Sequence, residues 1–89
     1  MLEKSTKIIN KLGLHARAAT KFANTANRYS CNIHVINGEK KIDGKSIMAL
    51  MLLAAAKGTE LTLSTNGKDE EDAMRALLDL IENRFEEQE

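Results

Sequence analysis

The chain switches repeatedly between short stretches in which apolar and polar residues alternate and longer ones in which apolar residues recur at helical spacing. Glu3 to Asn10, with Thr6, Ile8 and Ile9 among polar neighbours, predicts a strand stopped by the turn from Asn10 to Gly13. From Ala16 to Tyr29, residues Ala19, Phe22, Ala23 and Ala26 make one apolar stripe, while Lys21, Asn24, Thr25 and Arg28 lie mostly elsewhere, which predicts a helix packed on a sheet. Cys31, Ile33 and Val35 alternate with Asn32 and His34, and Asn37-Gly38 supplies the left-handed residues of a tight hairpin whose return strand is Lys40 to Asp43. Ser46 is a favoured N-cap for a short helix, Ile47 to Leu53, that is apolar on nearly every side and so needs either a cover or a partner. After Gly58, Leu61 and Leu63 alternate with Glu60, Thr62 and Ser64 in a fourth strand, ended by Asn66-Gly67. Asp69 is positioned to cap the last helix. Glu70, Glu71 and Asp72 crowd its positive end, and Ala73, Leu77, Leu80, Ile81 and Arg84 follow helical spacing. The acidic tail after Phe85 is expected to fray.

The resulting order, βαββαβα, predicts an α+β fold with three helices on one face of a four-stranded antiparallel sheet. The chain has no proline, no linker composition and no repeat, so residues 1–89 read as a single domain. Composition narrows the functions available. Aromatic residues make up only 3%, which leaves no array for stacking bases, and thirteen basic residues balance thirteen acidic ones, so nucleic acid is not an expected partner. The single cysteine, Cys31, permits no internal disulfide, and no apolar stretch reaches bilayer length; together these point to a cytoplasmic protein without membrane insertion. Cys31 reads as a core residue and His34 as an exposed one. Their Cys-x-x-His spacing on a strand sends them to opposite faces, so no metal is expected.

The chemistry concentrates at Lys11-Leu12-Gly13-Leu14-His15-Ala16-Arg17. His15 falls where the first helix begins, and unpaired amides with the positive end of the helix dipole favour an anion there. That field also favours a neutral ring, with one nitrogen lone pair free to attack phosphorus. Ala16 would contribute its backbone N–H, and Arg17 would reach back to phosphate oxygens. A histidine at this position also serves, on position alone, as a plain cap or an exposed residue.

Asn10 to Arg17, together with Lys45-Ser46-Ile47-Met48 and the Lys57-Gly58 turn, resembles the histidine phosphocarrier family, the HPr and NPr proteins of the bacterial phosphotransferase system, over nearly the whole chain. The resemblance implies an open-faced β-sandwich and a carrier rather than an independent enzyme, working without a cofactor. His15 would accept a phosphoryl group from Enzyme I and pass it to a histidine of an EIIA-type acceptor domain. It also implies that Ser46 is a regulatory phosphorylation site for an HPr kinase/phosphorylase, and that Ile47, Met48 and Met51 contact partners with Lys21 and Lys45 at the rim. The remaining apolar residues of that helix would face the sheet. A monomer suits a carrier that shows one face to successive partners. The acceptor branch, sugar uptake or nitrogen-related regulation, stays open, with the proline-free His-Ala-Arg-Ala run, Asn10-Lys11-Leu12 and the second helix somewhat closer to NPr-like relatives and Ser46 fitting either branch. In one departure, Ala18 stands where the family usually has proline, leaving the first turn looser with an extra N–H. The competing reading is a regulatory adaptor that binds through the second helix without phosphoryl turnover.

Overall fold

The computed structural model describes residues 1–88. Its elements are β1 (Leu2–Lys7), α1 (Ala16–Ala26), β2 (Asn32–Asn37), β3 (Lys40–Asp43), α2 (Ile47–Leu53), β4 (Glu60–Asn66) and α3 (Glu70–Glu82), followed by a tight turn at Arg84–Glu86. The four strands form one antiparallel sheet in the order β1-β4-β2-β3. The period of two decides what each face carries: Ile33 and Val35 of β2 and Leu61 and Leu63 of β4 are buried towards the helices. Against them pack Phe22 of α1, Leu50 of α2, and Leu77 and Ile81 of α3. Ala18, Ala19, Ala23 and Ala26 are also fully buried, so α1 approaches its neighbours on small side chains. The helices therefore share one face of the sheet, as the α+β reading expects.

Several boundaries move, each for a local reason. β1 ends at Lys7 rather than Asn10, although Ile8 remains tied through its N–H to the Thr59 carbonyl and through its carbonyl to the Gly58 N–H. α1 stops at Ala26 rather than Tyr29 because Asn27 turns its side-chain amide onto the Ala23 carbonyl and across to the carbonyl of Lys45, after which tighter i to i+3 turns take over. Asp69 does not cap α3 with its side chain. Its carboxylate accepts from the amides of Ser30 and Cys31, tying the α1–β2 connection to the start of α3, while Glu70 takes the Gly67 N–H. These bonds hold both carboxyls below the usual range: the Ser30 N–H is the largest cause for Asp69 and the Gly67 N–H for Glu70. Cys31 is buried, as expected, and burial pushes its thiol up. His34 is half-buried rather than exposed, flanked on the outer face by Ser64 and Asp43 in register.

The largest departure is the C-terminal tail. Arg84, Phe85 and Glu86 all adopt left-handed backbone (φ 55, 54 and 66), which ends helical spacing at Glu82 and swings the chain back over the start of α1. Phe85 is fully buried in the core. Glu86 and Glu87 are consequently docked, not frayed, because an aromatic anchor of this size buries enough apolar surface to offset the ordering of a short segment, while Glu89 of the same tail lies outside the described residues.

Candidate functional site

The loop before α1 is fixed by the side chain of Asn10 and by the segment that follows α2. Asn10, fully buried, donates from Nδ2 to the Gly13 carbonyl at 2.8 Å, and Leu14 donates its N–H to the Ala55 carbonyl at 2.8 Å. Gly13 has φ +68, and a Cβ there would lie 2.5 Å from the Ala55 oxygen, so only glycine lets the two segments meet. Leu14 inserts into the core and leaves His15 as the N-cap residue, in extended backbone, with its carbonyl accepting from Ala19 at 2.8 Å.

The His15 ring does not cap α1. It points instead to the tail, where Nε2 meets Glu87 Oε2, while the other Glu87 oxygen accepts from Asn10 Nδ2 at 3.0 Å. Burial pushes the Glu87 carboxyl up, but the hydrogen bonds from Asn10 and His15, helped by the charge of Arg17, outweigh it and hold the group below the usual carboxylate range. A cleft of about 820 Å³ opens here, lined on one side by His15, Ala16, Arg17 and Lys21 and on the other by Glu86, Glu87 and Gln88. Ala16 and Arg17 are exposed, and their amides precede the first intrahelical bond of α1. The cleft thus offers an imidazole, first-turn amides and a guanidinium in one place. That set can hold an oxyanion and carry a phosphoryl group.

Lys21 is half-buried in the same cleft, with its ammonium donating to the Phe85 carbonyl at 2.8 Å and pairing with Glu86 at 3.4 Å. Lys45 lies elsewhere, its Nζ donating to the Tyr29 carbonyl at 2.7 Å beyond the end of α1. Ser46 caps α2, its Oγ accepting from the Ala49 N–H at 3.1 Å. Along α2, Leu50 and Leu53 are buried, whereas Ile47, Met48, Met51 and Leu52 are exposed. Leu52 is 77% exposed, so it joins the outer face of α2 rather than the sheet side expected for it. Leu12 (66% exposed) completes this apolar surface, and a small hollow bounded by Leu12, His15 and Met51 joins it to the histidine.

Four residues of this cleft and surface have no clear signal in the sequence. Leu52 lies on a helix apolar on nearly every side, where periodicity selects no face, Leu12 and Asn10 stand out only within the loop motif, and Glu87 is distant in sequence with no local signal at all. Among the described residues, no group of three or more histidine, cysteine or acidic side chains is placed to hold a metal ion, and no helix is long and apolar enough to cross a membrane.

Comparison with known proteins agrees with this geometry. Residues 2–83 match the family described as "PTS HPr component phosphorylation site". The chain is 60% identical over 81 residues to the phosphocarrier protein HPr of Pseudomonas aeruginosa, covering 90% of each chain. It is 55% identical over 87 residues to that of Neisseria meningitidis, covering 98% of each. Among solved structures, HPr-C-His from Thermoanaerobacter tengcongensis superposes with a TM-score of 0.96 at 46% identity over 100% of both chains. The chain therefore belongs to the HPr family of phosphocarrier proteins of the phosphotransferase system, transfer intermediates rather than independent enzymes.

Proposed function

We propose that this protein is a single-domain, monomeric, cytoplasmic carrier that accepts a phosphoryl group from Enzyme I on His15 and passes it to a histidine of an EIIA-type acceptor. The observation that carries this reading is the uncapped start of α1, where His15 shares one open cleft with Ala16 and Arg17. The neutral imidazole needs no separate base, because its lone pair attacks phosphorus directly. The Ala16 amide and the Arg17 guanidinium then share the phosphate charge, in a site shallow enough for the group to leave again. The exposed apolar residues Ile47, Met48 and Met51, joined to His15 through Leu12, suit successive partners, since methionine adapts its shape at little cost. Lys21 serves at the rim on the cleft side, with Lys45 at the far end beyond α1.

Ser46 fits regulation by an HPr kinase/phosphorylase as well as capping. A phosphate on its Oγ would sit at the positive end of α2 and place about two negative charges beside Ile47 and Met48, repelling acidic partners without unfolding the helix.

The test is intact-mass analysis after incubation with phosphoenolpyruvate and Enzyme I. One acid-labile phosphate on the parent and none on His15→Ala is the expected result. A folded parent that takes up no phosphate from an active Enzyme I would overturn the carrier reading in favour of an adaptor that acts by binding alone.

A further inference from the structure

Phosphoryl transfer as described above uses His15, Arg17 and backbone amides and leaves Glu87 of the cleft, and the buried Asn10 that holds it, without a task. Resting on His15 as the phosphoacceptor, we propose that Glu87, itself held by Asn10, is a positioning residue that takes the Nε2–H of His15, leaves the lone pair on Nδ1, and stabilises the positive charge that builds on the ring during attack.

Three observations carry this. The Asn10 side chain is fully buried, and its Nδ2 donates to two acceptors, the Gly13 carbonyl at 2.8 Å and Glu87 Oε1 at 3.0 Å, so only one orientation of the amide satisfies both. The remaining Glu87 oxygen meets His15 Nε2. An ionised carboxylate only accepts, so the ring nitrogen facing it must carry the proton, and a neutral ring then has its lone pair at the other nitrogen. The tail that presents Glu87 is anchored twice at Phe85, by its buried ring and by the Lys21 ammonium on its carbonyl at 2.8 Å. A loose surface carboxylate would have neither anchor.

The step balances without a base. The Nδ1 lone pair forms the new N–P bond while the bond from phosphorus to the donor atom of phosphorylated Enzyme I breaks and returns its electron pair to that donor. No proton leaves Nδ1, and the Nε2 proton stays in place. The His15 ring therefore becomes cationic, and the Glu87 carboxylate faces that charge from the end of the ring opposite the phosphate. This is how an acid behind a reacting histidine works in general: it fixes the tautomer and steadies the imidazolium without being protonated itself.

The experiment compares the parent, Glu87→Gln and, as a control of equal charge change on the exposed end of α3, Glu82→Gln. The ring 15N shifts of His15 in its neutral form report the tautomer, and the initial rate of phosphoryl uptake from Enzyme I is followed across pH. The parent and Glu82→Gln are expected to hold the proton on Nε2. Glu87→Gln, whose amide can either donate or accept, is expected to show mixed tautomers and uptake slowed on the order of 10-fold. A parental tautomer in Glu87→Gln, a parent ring protonated on Nδ1, or an unchanged rate would each overturn the role. A parent that is never phosphorylated overturns the phosphoacceptor reading and this role with it, and is told apart from a failure of Glu87 alone, which leaves the parent phosphorylated.

Discussion

α1 and α2 each begin with a residue in extended backbone, His15 at φ −80, ψ −178 and Ser46 at φ −103, ψ 112, and the two side chains then turn opposite ways. Ser46 folds its hydroxyl back onto its own helix and accepts from Ala49, whereas His15 gives its ring to Glu87 and leaves the first amides of α1 to the cleft. The difference follows from how each helix is held. α1 spans 11 residues with Ala18, Ala19, Phe22, Ala23 and Ala26 buried, so tertiary packing keeps it in place without a cap. α2 spans 7 residues with only Leu50 and Leu53 buried, because much of its surface is turned outward, and it depends on Ser46. The histidine cleft sits at the helix end that packing has relieved of capping. The exposed apolar surface sits on the helix that a cap has relieved of packing.

The comparison breaks most sharply at Gly13. Gly13→Ala forces a side chain into left-handed backbone and against the Ala55 carbonyl, and is expected to lower stability by about 2–5 kcal/mol in denaturant unfolding while displacing His15. A loss below about 1 kcal/mol would mean the loop relaxes freely and does not fix the histidine. Ser46→Ala should remove about 1 kcal/mol and lower Tm by about 4–8 °C, yet leave phosphate uptake at His15 intact; an unchanged Tm would show that α2 does not rely on its cap. At the other helix start, His15→Ser introduces a capping hydroxyl in suitable backbone, and should be more stable than His15→Ala by about 0.5–1 kcal/mol while neither variant takes up phosphate. Equal stabilities would show that the start of α1 gains nothing from a cap. Ala18→Pro, on the same turn, is expected to change stability by less than about 1 kcal/mol and to retain phosphorylation with an altered transfer rate or phosphohistidine lifetime, and indistinguishable kinetics would remove the idea.

The smallest effect concerns the start of α3, where Asp69 serves a neighbouring segment instead of its own helix. Its native pKa is lowered, chiefly by the Ser30 N–H, so its contribution is fully present above the ordinary carboxylate value of about 3.9 and is lost as pH falls through the lower native one. Asp69→Asn should flatten that acid limb of the stability curve, and parallel acid limbs in parent and variant would contradict it.

The strands and the start of α2 were legible because a period of two and a Ser-led apolar run each have one structural meaning. His15, Ala16 and Arg17 were legible as a group for a similar reason: they are adjacent in sequence, and one helix start puts them in one cleft, whereas Lys21, expected at a rim with Lys45, joins them and leaves Lys45 at the far end of α1. What escaped depends on side chains with more than one use. Asn27 ends α1 early by taking the Ala23 carbonyl, and Asp69 chooses Ser30 and Cys31 over its own helix; neither choice is visible without the neighbouring segment. Leu52 belongs to a helix apolar on all sides, where periodicity cannot select a face. The tail was misread because its reversal uses three left-handed residues, none of them glycine, and depends on Phe85 finding the core.

That reversal joins residues 77 positions apart, Asn10 and Glu87, into one site. The two walls of the cleft are consequently set by different means: Asn10 and His15 by the loop before α1, and Glu87 by a turn after α3 that Phe85 locks into the core. A substitution that loosens Phe85 acts on the packing of the helices and on the neighbour of His15 together, so stability and site geometry are coupled through one aromatic ring.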